Sequence, residues 1–174
     1  MDITTEMIKE FRSKCGAGVM ECRSILIETS GDIDKAMKLL KERGLLQAEK
    51  RADRVTQQGL VEAYVHTGGR IGAMIEVNCE TDFAARTDEF KELAHNLAMQ
   101  VAAQSPRFIT KEDLPESADA DPQVVCLLSQ PYIKDPTKTI RDVVAEVIAK
   151  TGENIRVSRF ARFELGVKES GCKI

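Results

Sequence analysis

The sequence lacks the features that define membrane-bound and secreted proteins. No purely apolar run approaches the roughly 20 residues that a membrane-spanning helix needs, and the polar N-terminus does not resemble a secretory signal. The five cysteines are an odd number at irregular spacings, with no CxxC pair, which is typical of reduced thiols. We therefore predict a cytoplasmic protein without membrane contact. Cys172 lies two residues from the C-terminus, and an inter-subunit disulfide there is an alternative to a free thiol.

Motifs for catalysis and for nucleotide binding are also missing. The chain contains no GxxxxGKS/T phosphate loop, no GxGxxG that opens a helix after a strand, and no GxSxG. Neither of the two histidines lies at metal-ligand spacing from a cysteine. The net charge of −3 argues against a protein that coats nucleic acid. We predict that the protein is not an enzyme, has no catalytic residues, holds no metal or cofactor, and makes no direct contact with nucleic acid.

The first fifty residues carry apolar side chains at helical spacing. Three such stripes lie in residues 3–11, 19–26 and 33–40, separated by glycine-containing turns. Asp32 is the candidate N-cap of the third helix, and Gly44 is its predicted left-handed C-cap. Because helices this short persist only with a shared core, we predict a three-helix domain over residues 1–46. Residues 47–58 are interpreted as a partly helical linker.

From Gly59 the apolar period changes from 3.6 to 2, which indicates strands. Residues 60–66 and 71–79 flank a hairpin turn, and residues 154–165 are predicted to form a third strand. Two amphipathic helices are available to cover the sheet. The fold class is therefore α+β: a three-helix bundle, then a core over residues 59–174 of about three antiparallel strands covered by helices. We predict Thr87 and Thr139 as helix N-caps. The predicted apolar face of the first strand is Val61, Ala63 and Val65, and that of the third strand is Ile155, Val157, Ala161, Phe163 and Leu165.

The segment of residues 78–86 lies between a strand and a helix, and its Phe83 matches neither pattern. A large aromatic side chain in a polar loop either folds back into the core or projects as an anchor for a partner. The residues alone favour the core for Phe83 and a helix cap for Asp82. A Cys79–His66 pair across the hairpin would form a thiol nucleophile, although a buried structural thiol is favoured.

Several segments, in their order along the chain, resemble the elongation factor Ts family of bacteria. They are residues 15–22 (CGAGVMEC), 31–32 (GD), 76–83 (EVNCETDF), 130–135 (QPYIKD), 152–155 (GENI) and 159–164 (RFARFE). Members of that family are the nucleotide exchange factors of the translational GTPase elongation factor Tu. The resemblance covers nearly the whole chain. It implies a ubiquitin-associated-like bundle and binding to GDP-bound and nucleotide-free elongation factor Tu. It also implies GDP release through disturbance of the Mg²⁺ and phosphate site.

The resemblance also implies which residues act. It reverses the expectation for Phe83, whose ring would press against helices of the GTPase domain with Asp82 beside it. One departure is Ala84, because the family more often has valine there, and we expect only a small effect. The residues implied in partner binding and Mg²⁺ dislocation are Thr81, Asp82 and Phe83, and the further partner contacts are Val19, Met20, Cys22, Arg23, Lys50, Arg51, His66, Thr151 and Gly152.

The sequence also leads to an expected oligomeric state and to two alternative functions. The resemblance is to short-form members of the family, which pair as homodimers. It therefore implies that this protein forms a homodimer through the core sheet. A binding adaptor that docks a ubiquitin-like or ribosomal partner without affecting nucleotide is one alternative function. A thiol enzyme that uses Cys79 is the other, and it requires an unusually reactive cysteine.

Overall fold

Three helices at the N-terminus form a bundle, as predicted. In the computed structural model, which describes residues 3–115 and 119–167, they are α1 (Thr5–Cys15), α2 (Val19–Glu28) and α3 (Ile33–Arg51). The side chain of Asp32 accepts a hydrogen bond from the backbone of Lys35 and caps α3, which confirms that prediction. The bundle has a core of its own, made by the buried side chains of Phe11, Ala17, Cys22, Ile25, Leu26 and Ala36. Cys172, considered above for an inter-subunit disulfide, lies outside the described residues.

The rest of the described chain forms an antiparallel sheet covered by helices, which confirms the α+β class. Its elements are β1 (Gln58–Val65), β2 (Ile71–Cys79), α4 (Asp82–Ala85), α5 (Asp88–Gln104), α6 (Pro122–Val125), β3 (Pro131–Tyr132), β4 (Asp135–Thr139), α7 (Ile140–Thr151) and β5 (Ile155–Glu164). The sheet has the strand order β1-β2-β5, and β3 pairs with β4 in a separate hairpin. Helix α5 packs on one face of the sheet and α7 packs beside it.

The starts of α5 and α7 follow the predicted capping chemistry. The Thr87 hydroxyl accepts a hydrogen bond from the backbone N–H of Phe90 at 3.3 Å. At the start of α7, Thr139 and Asp142 form a capping box in which each side chain accepts from the other's backbone N–H. Both predicted N-caps are therefore confirmed. Within the described residues, no helix combines the length and the apolar character that crossing a bilayer would require.

Helix α3 does not end at Gly44, which corrects the predicted C-cap. The helix runs for 19 residues without interruption, and Gly44 is buried within it. A Cβ added at Gly44 would lie 3.8 Å from the carbonyl oxygen of Ala145 and from the Cβ of Ala149, both on α7. The glycine therefore lies where α3 packs closely on α7. The first residues of the predicted linker are helical, and the division into domains stays a prediction.

A β-bulge reverses the two faces of β5, which the alternation of residues did not predict. Val77 of β2 pairs with Val157, but the preceding Glu76 pairs with Arg159, so Ser158 is the extra residue. Before the bulge Val157 is buried in the core, whereas after it Phe160 packs against the core. One extra residue moves every later side chain of the strand to the opposite face. The core position predicted for Ala161, Phe163 and Leu165 is therefore wrong.

The face of the first strand is also the reverse of the prediction. Tyr64 packs against the core, whereas Val61 and Val65 are 57% and 67% exposed. Helix α5 covers the Tyr64 side, so the other side presents apolar residues that no described element covers. We call this surface the open sheet face. Its apolar residues are Val61, Ala63, Val65, Met74, Ala161 and Phe163, and the ion pair of Glu76 and Arg159 lies on the same face.

Candidate functional site

Phe83 lies on the single turn of α4, and its ring projects into solvent. Its exposed fraction is 78%, more than that of any other large apolar side chain in the described residues. On the same turn Ala84 and Ala85 are buried against the core. Because those two side chains fix the inner side of so short a helix, Phe83 is left on the outer side. The core position that the residues alone favoured for Phe83 is therefore wrong.

Thr81 holds this turn from its N-terminal side. Its hydroxyl accepts a hydrogen bond from the backbone N–H of Ala84 at 3.3 Å and so caps α4. The same hydroxyl donates to one carboxylate oxygen of Glu153 at 2.5 Å, and the backbone N–H of Thr81 donates to the other at 3.0 Å. The Cys79 thiol donates to the Thr81 carbonyl at 3.1 Å. Bonds to a carboxylate are the stronger kind, so the direction of the Phe83 turn is firmly set.

Asp82 occupies the surface beside the Phe83 ring. It is the first residue of α4, and the cap is Thr81, which corrects the interpretation of Asp82 as the cap. Its carboxylate forms an ion pair with Arg86 at 2.9 Å, in which Arg86 is largely exposed and Asp82 about half-exposed. Such a pair contributes little to stability. The Asp82 carboxylate therefore lies at the surface beside the ring, paired with Arg86.

The turn after α7 lies against the same site. Gly152 ends α7 in the left-handed conformation with a φ of 75°. The next residue is Glu153, which holds Thr81, and its backbone N–H donates to the Thr151 hydroxyl at 3.3 Å. The predicted contacts Thr151 and Gly152 are thus brought close to Thr81 through Glu153, although they are about seventy positions away in the sequence.

The end of α3 reaches this site as well. Arg51 donates to the carbonyl of Ile148 at 3.2 Å, and Arg54 forms an ion pair with Glu80 at 3.3 Å. The buried Asn154 connects these parts, since its backbone N–H donates to Glu80 at 2.6 Å and its side chain donates to the Arg54 carbonyl at 2.9 Å. The backbone hydrogen bond from Asn154 lowers the pKa of the Glu80 carboxyl, with help from Arg54. Lys50 is exposed on the same last turn of α3.

Four of these supporting residues were missed from the sequence: Arg54, Glu80, Glu153 and Asn154. Glu80 lies in the segment 76–83, and Glu153 and Asn154 lie in the segment 152–155, both of which carried the family resemblance, whereas Arg54 lies in neither segment. The bonds of Glu153 to Thr81 and of Asn154 to Glu80 join positions more than seventy residues apart. No local pattern in a single sequence reports such pairs, so for these three residues only their presence in those segments was a signal.

The predicted contacts on α2 divide into exposed and buried side chains. Val19 and Met20 are 49% and 71% exposed at the start of the helix, and Arg23 is exposed one turn later. Cys22 is completely buried in the bundle core. A direct partner contact by the Cys22 side chain is therefore incompatible with this structure, because the side chain does not reach the surface.

His66 lies at the opposite end of the sheet from Phe83. It is exposed just after β1, and its Nδ1 lies 3.1 Å from the Tyr64 hydroxyl. Cys79 pairs with Gln58, the first residue of β1, whereas His66 follows the last residue of that strand. The length of β1, about 25 Å, therefore separates Cys79 from His66. The proposed Cys79–His66 nucleophile pair is therefore not formed. Burial raises the pKa of the Cys79 thiol, and the nearby Glu153 carboxylate adds to this.

A bare aromatic ring on a turn that is fixed from three sides is typical of a surface that binds another protein. The fold and the site thus define a protein with a small helical bundle and an α+β core that presents one exposed aromatic ring. The family model described as Elongation factor TS matches residues 32–123.

Curated relatives match along nearly the whole chain. Elongation factor Ts of Thermotoga neapolitana is 46% identical, with 95% of this chain and 98% of the relative covered. Elongation factor Ts of Carboxydothermus hydrogenoformans is 44% identical, with 94% and 89% covered. The relative of the same name from Caldanaerobacter subterraneus is 45% identical, with 94% and 97% covered. The chain belongs to the elongation factor Ts family, which confirms the resemblance.

Proposed function

We propose that this protein is a guanine nucleotide exchange factor that accelerates GDP release from elongation factor Tu during translation elongation. The observation that carries the proposal is the Phe83 ring, which is 78% exposed on a turn held by the Thr81–Glu153 bonds. Membership of the elongation factor Ts family supports the identity of the partner. The proposal includes action in the cytoplasm, with no cofactor of its own and no direct contact with nucleic acid or membrane.

Exchange activity follows from linkage between two binding equilibria. A factor that binds the nucleotide-free GTPase better than the GDP-bound form lowers the affinity for GDP by the same factor. In this proposal the Phe83 ring enters between helices of the GTPase and displaces the ligands of Mg²⁺ and phosphate. The fixed turn matters because a ring that is already held in its bound position loses little conformational entropy on binding.

The remaining contacts would add affinity around this centre. Arg51, Thr151 and Gly152 border the Phe83 turn, so we assign them to the same contact with the GTPase domain. Val19, Met20 and Arg23 would contact that domain from the bundle. His66, at the other end of the sheet, would meet a part of the partner beyond its GTPase domain.

Phe83→Ala tests the proposed exchange role. We expect GDP release to slow by at least about tenfold, because truncation of a central aromatic contact costs on the order of 2 kcal/mol. Stopped-flow fluorescence with labelled GDP on elongation factor Tu measures the rate, and unfolding curves check the fold. The matched control is Val124→Ala, which truncates another exposed apolar side chain, 62% exposed, away from the turn.

Two outcomes would reject the exchange role. Unchanged release by Phe83→Ala would remove the ring from the mechanism. Binding of the unaltered chain to elongation factor Tu with no acceleration of GDP release would instead support the adaptor function.

We also propose that two copies of the chain pair through the open sheet face. Exposed apolar side chains cover this face, including Val61, Val65, Met74 and Phe163 at 49–67% exposure. Two antiparallel sheets pack face to face through such residues about 10 Å apart, and a second copy presents the same surface under two-fold symmetry.

Sedimentation tests this pairing. The unaltered protein should give the dimer mass, and Phe163→Asp should give the monomer mass with an unchanged circular dichroism spectrum. A monomer of the unaltered chain at micromolar concentration would contradict this.

A further inference from the structure

We propose that Cys15 and Cys22 form a reversible disulfide, which makes this pair a site of oxidative modification in the N-terminal bundle. The two Sγ atoms lie 3.7 Å apart, and both thiols are free in this structure. A disulfide has an S–S distance of about 2.05 Å, so the sulfurs need to approach by less than about 2 Å. The inference concerns bond chemistry and does not depend on exchange activity.

The turn between α1 and α2 brings the two sulfurs together. Cys15 is the last residue of α1, and Gly16 reverses the chain with a φ of 69°. Cys22 lies on the first turns of α2, where its thiol donates to the Ala17 carbonyl at 3.6 Å. Both helix ends are fixed by the bundle core, so the short distance is a property of the fold.

The two thiols differ in access, which sets the order of the reaction. Cys15 is half-buried and lines a cleft of about 480 Å³ between the bundle and α7, so a small oxidant can reach it. Cys22 is completely buried. Burial raises the pKa of the Cys22 thiol to about 12, with the neighbouring Cys15 thiol adding to the effect. Because the thiolate is the nucleophile, Cys15 reacts first.

The oxidant is a low-molecular-weight disulfide, and the exchange balances in two steps. The Cys15 thiolate attacks one sulfur of the small disulfide, forms a mixed disulfide and expels a small thiolate, which takes up the proton that Cys15 lost. Once Cys15 is in the mixed disulfide, its thiol no longer contributes to raising the pKa of Cys22. The Cys22 thiolate then attacks Cys15 Sγ, forms the Cys15–Cys22 bond and expels the second small thiolate, which takes up the Cys22 proton. Two protein thiols are oxidised and one small disulfide is reduced to two thiols.

The bond would close a ring over residues 15–22. That ring contains Val19 and Met20, two exposed side chains, so oxidation fixes the segment that presents them. A closed ring also removes entropy from the unfolded chain. For a ring of this size the chain-entropy estimate favours the oxidised form on the order of fifty-fold more in the folded than in the unfolded chain. Because the sulfurs need to move closer, we expect at least about tenfold.

The chain offers a direct assay. Cleavage by trypsin after Lys14 and Arg23 releases a single peptide, residues 15–23, that contains both cysteines. The full-length protein with Cys172→Ser, which removes the tail thiol, is equilibrated with glutathione disulfide, then denatured, alkylated with iodoacetamide and digested. We expect this peptide without alkyl groups and two hydrogen atoms lighter, with reversal by dithiothreitol. Cys79 and Cys126, which are buried elsewhere, serve as internal controls that alkylate after denaturation.

Two results would overturn the proposal. One is peptide 15–23 with both cysteines alkylated, or with glutathione retained on Cys15, after equilibration. The other is an equal ring fraction in folded and urea-unfolded protein at the same glutathione ratio, since the fold would then contribute nothing. Cys15→Ser, a change at the half-buried position, should abolish the ring and the rise in urea midpoint that oxidation gives the parent.

Discussion

Replacing Glu153 with alanine removes both hydrogen bonds that tie Thr81 to the turn after α7, while Phe83 itself is unchanged. A hydrogen bond to a charged group contributes about 1.5–3 kcal/mol to stability. Glu153 is only half-buried, so we take the lower part of that range and expect a loss of about 2 kcal/mol in unfolding free energy. The Phe83 turn then keeps its buried alanines but loses its anchor.

The effect on exchange follows from the entropy of the freed ring. Immobilising one side chain on binding costs about 0.5–1.5 kcal/mol, so GDP release should slow by about two- to tenfold in Glu153→Ala. Glu153→Gln keeps an acceptor for one of the two Thr81 bonds and should recover part of the rate. The control is Glu146→Ala, which breaks the partly exposed ion pair between Glu146 of α7 and Lys138 of β4 and leaves Thr81 alone.

A double-mutant cycle separates positioning from general destabilisation. If Glu153 acts through the ring, Glu153→Ala should slow release in the parent but change nothing further in a Phe83→Ala background. The assay is stopped-flow release of labelled GDP from elongation factor Tu at limiting factor. Equal slowing in both backgrounds, or full exchange activity in a destabilised Glu153→Ala, would refute the positioning argument.

Two further predictions concern stability. Gly44→Ala should raise the unfolding free energy, measured in urea, by about 0.5–1 kcal/mol, because alanine suits a helix interior and the new Cβ finds ordinary contacts at 3.8 Å. A loss of stability would show that the contact between α3 and α7 does not accommodate the added methyl group. The pKa of Glu80 is lowered from its ordinary value of 4.5, chiefly by the Asn154 backbone. Its contribution is therefore present above pH 4.5 and lost as pH falls through the folded pKa. Glu80→Gln should flatten that acid-side loss in unfolding curves, and parallel curves for both proteins would exclude this role.

Local chemistry explains which elements the sequence predicted. The apolar stripe after Thr87 and the capping box at Thr139 are complete within one helix turn or one helix face, so the sequence shows them directly. The Ser158 bulge is a single extra residue in a strand that otherwise alternates, and nothing local distinguishes it from regular pairing. It reversed the face assigned to Phe163 and exposed the apolar surface that the dimer proposal uses.

The candidate site was predictable in part for the same reason. Phe83 stood out because it matched neither neighbouring pattern, but its direction depends on the burial of Ala84 and on the bonds from Thr81 to Glu153. Those bonds connect distant segments, and Gly44 was misread because its partner helix α7 lies about a hundred positions later. Tertiary contacts decided each of these points.

The uninterrupted course of α3 has a geometric consequence for recognition. At 19 residues the helix is about 28 Å long, and it carries the bundle at one end and Arg51 at the other. One inserted residue would rotate the bundle by about 100° around the axis and shift it by about 1.5 Å. The spacing and orientation between the bundle and Arg51 are therefore set by the length of this helix. In the proposed complex, the GTPase must present its two contact regions at that same spacing and angle.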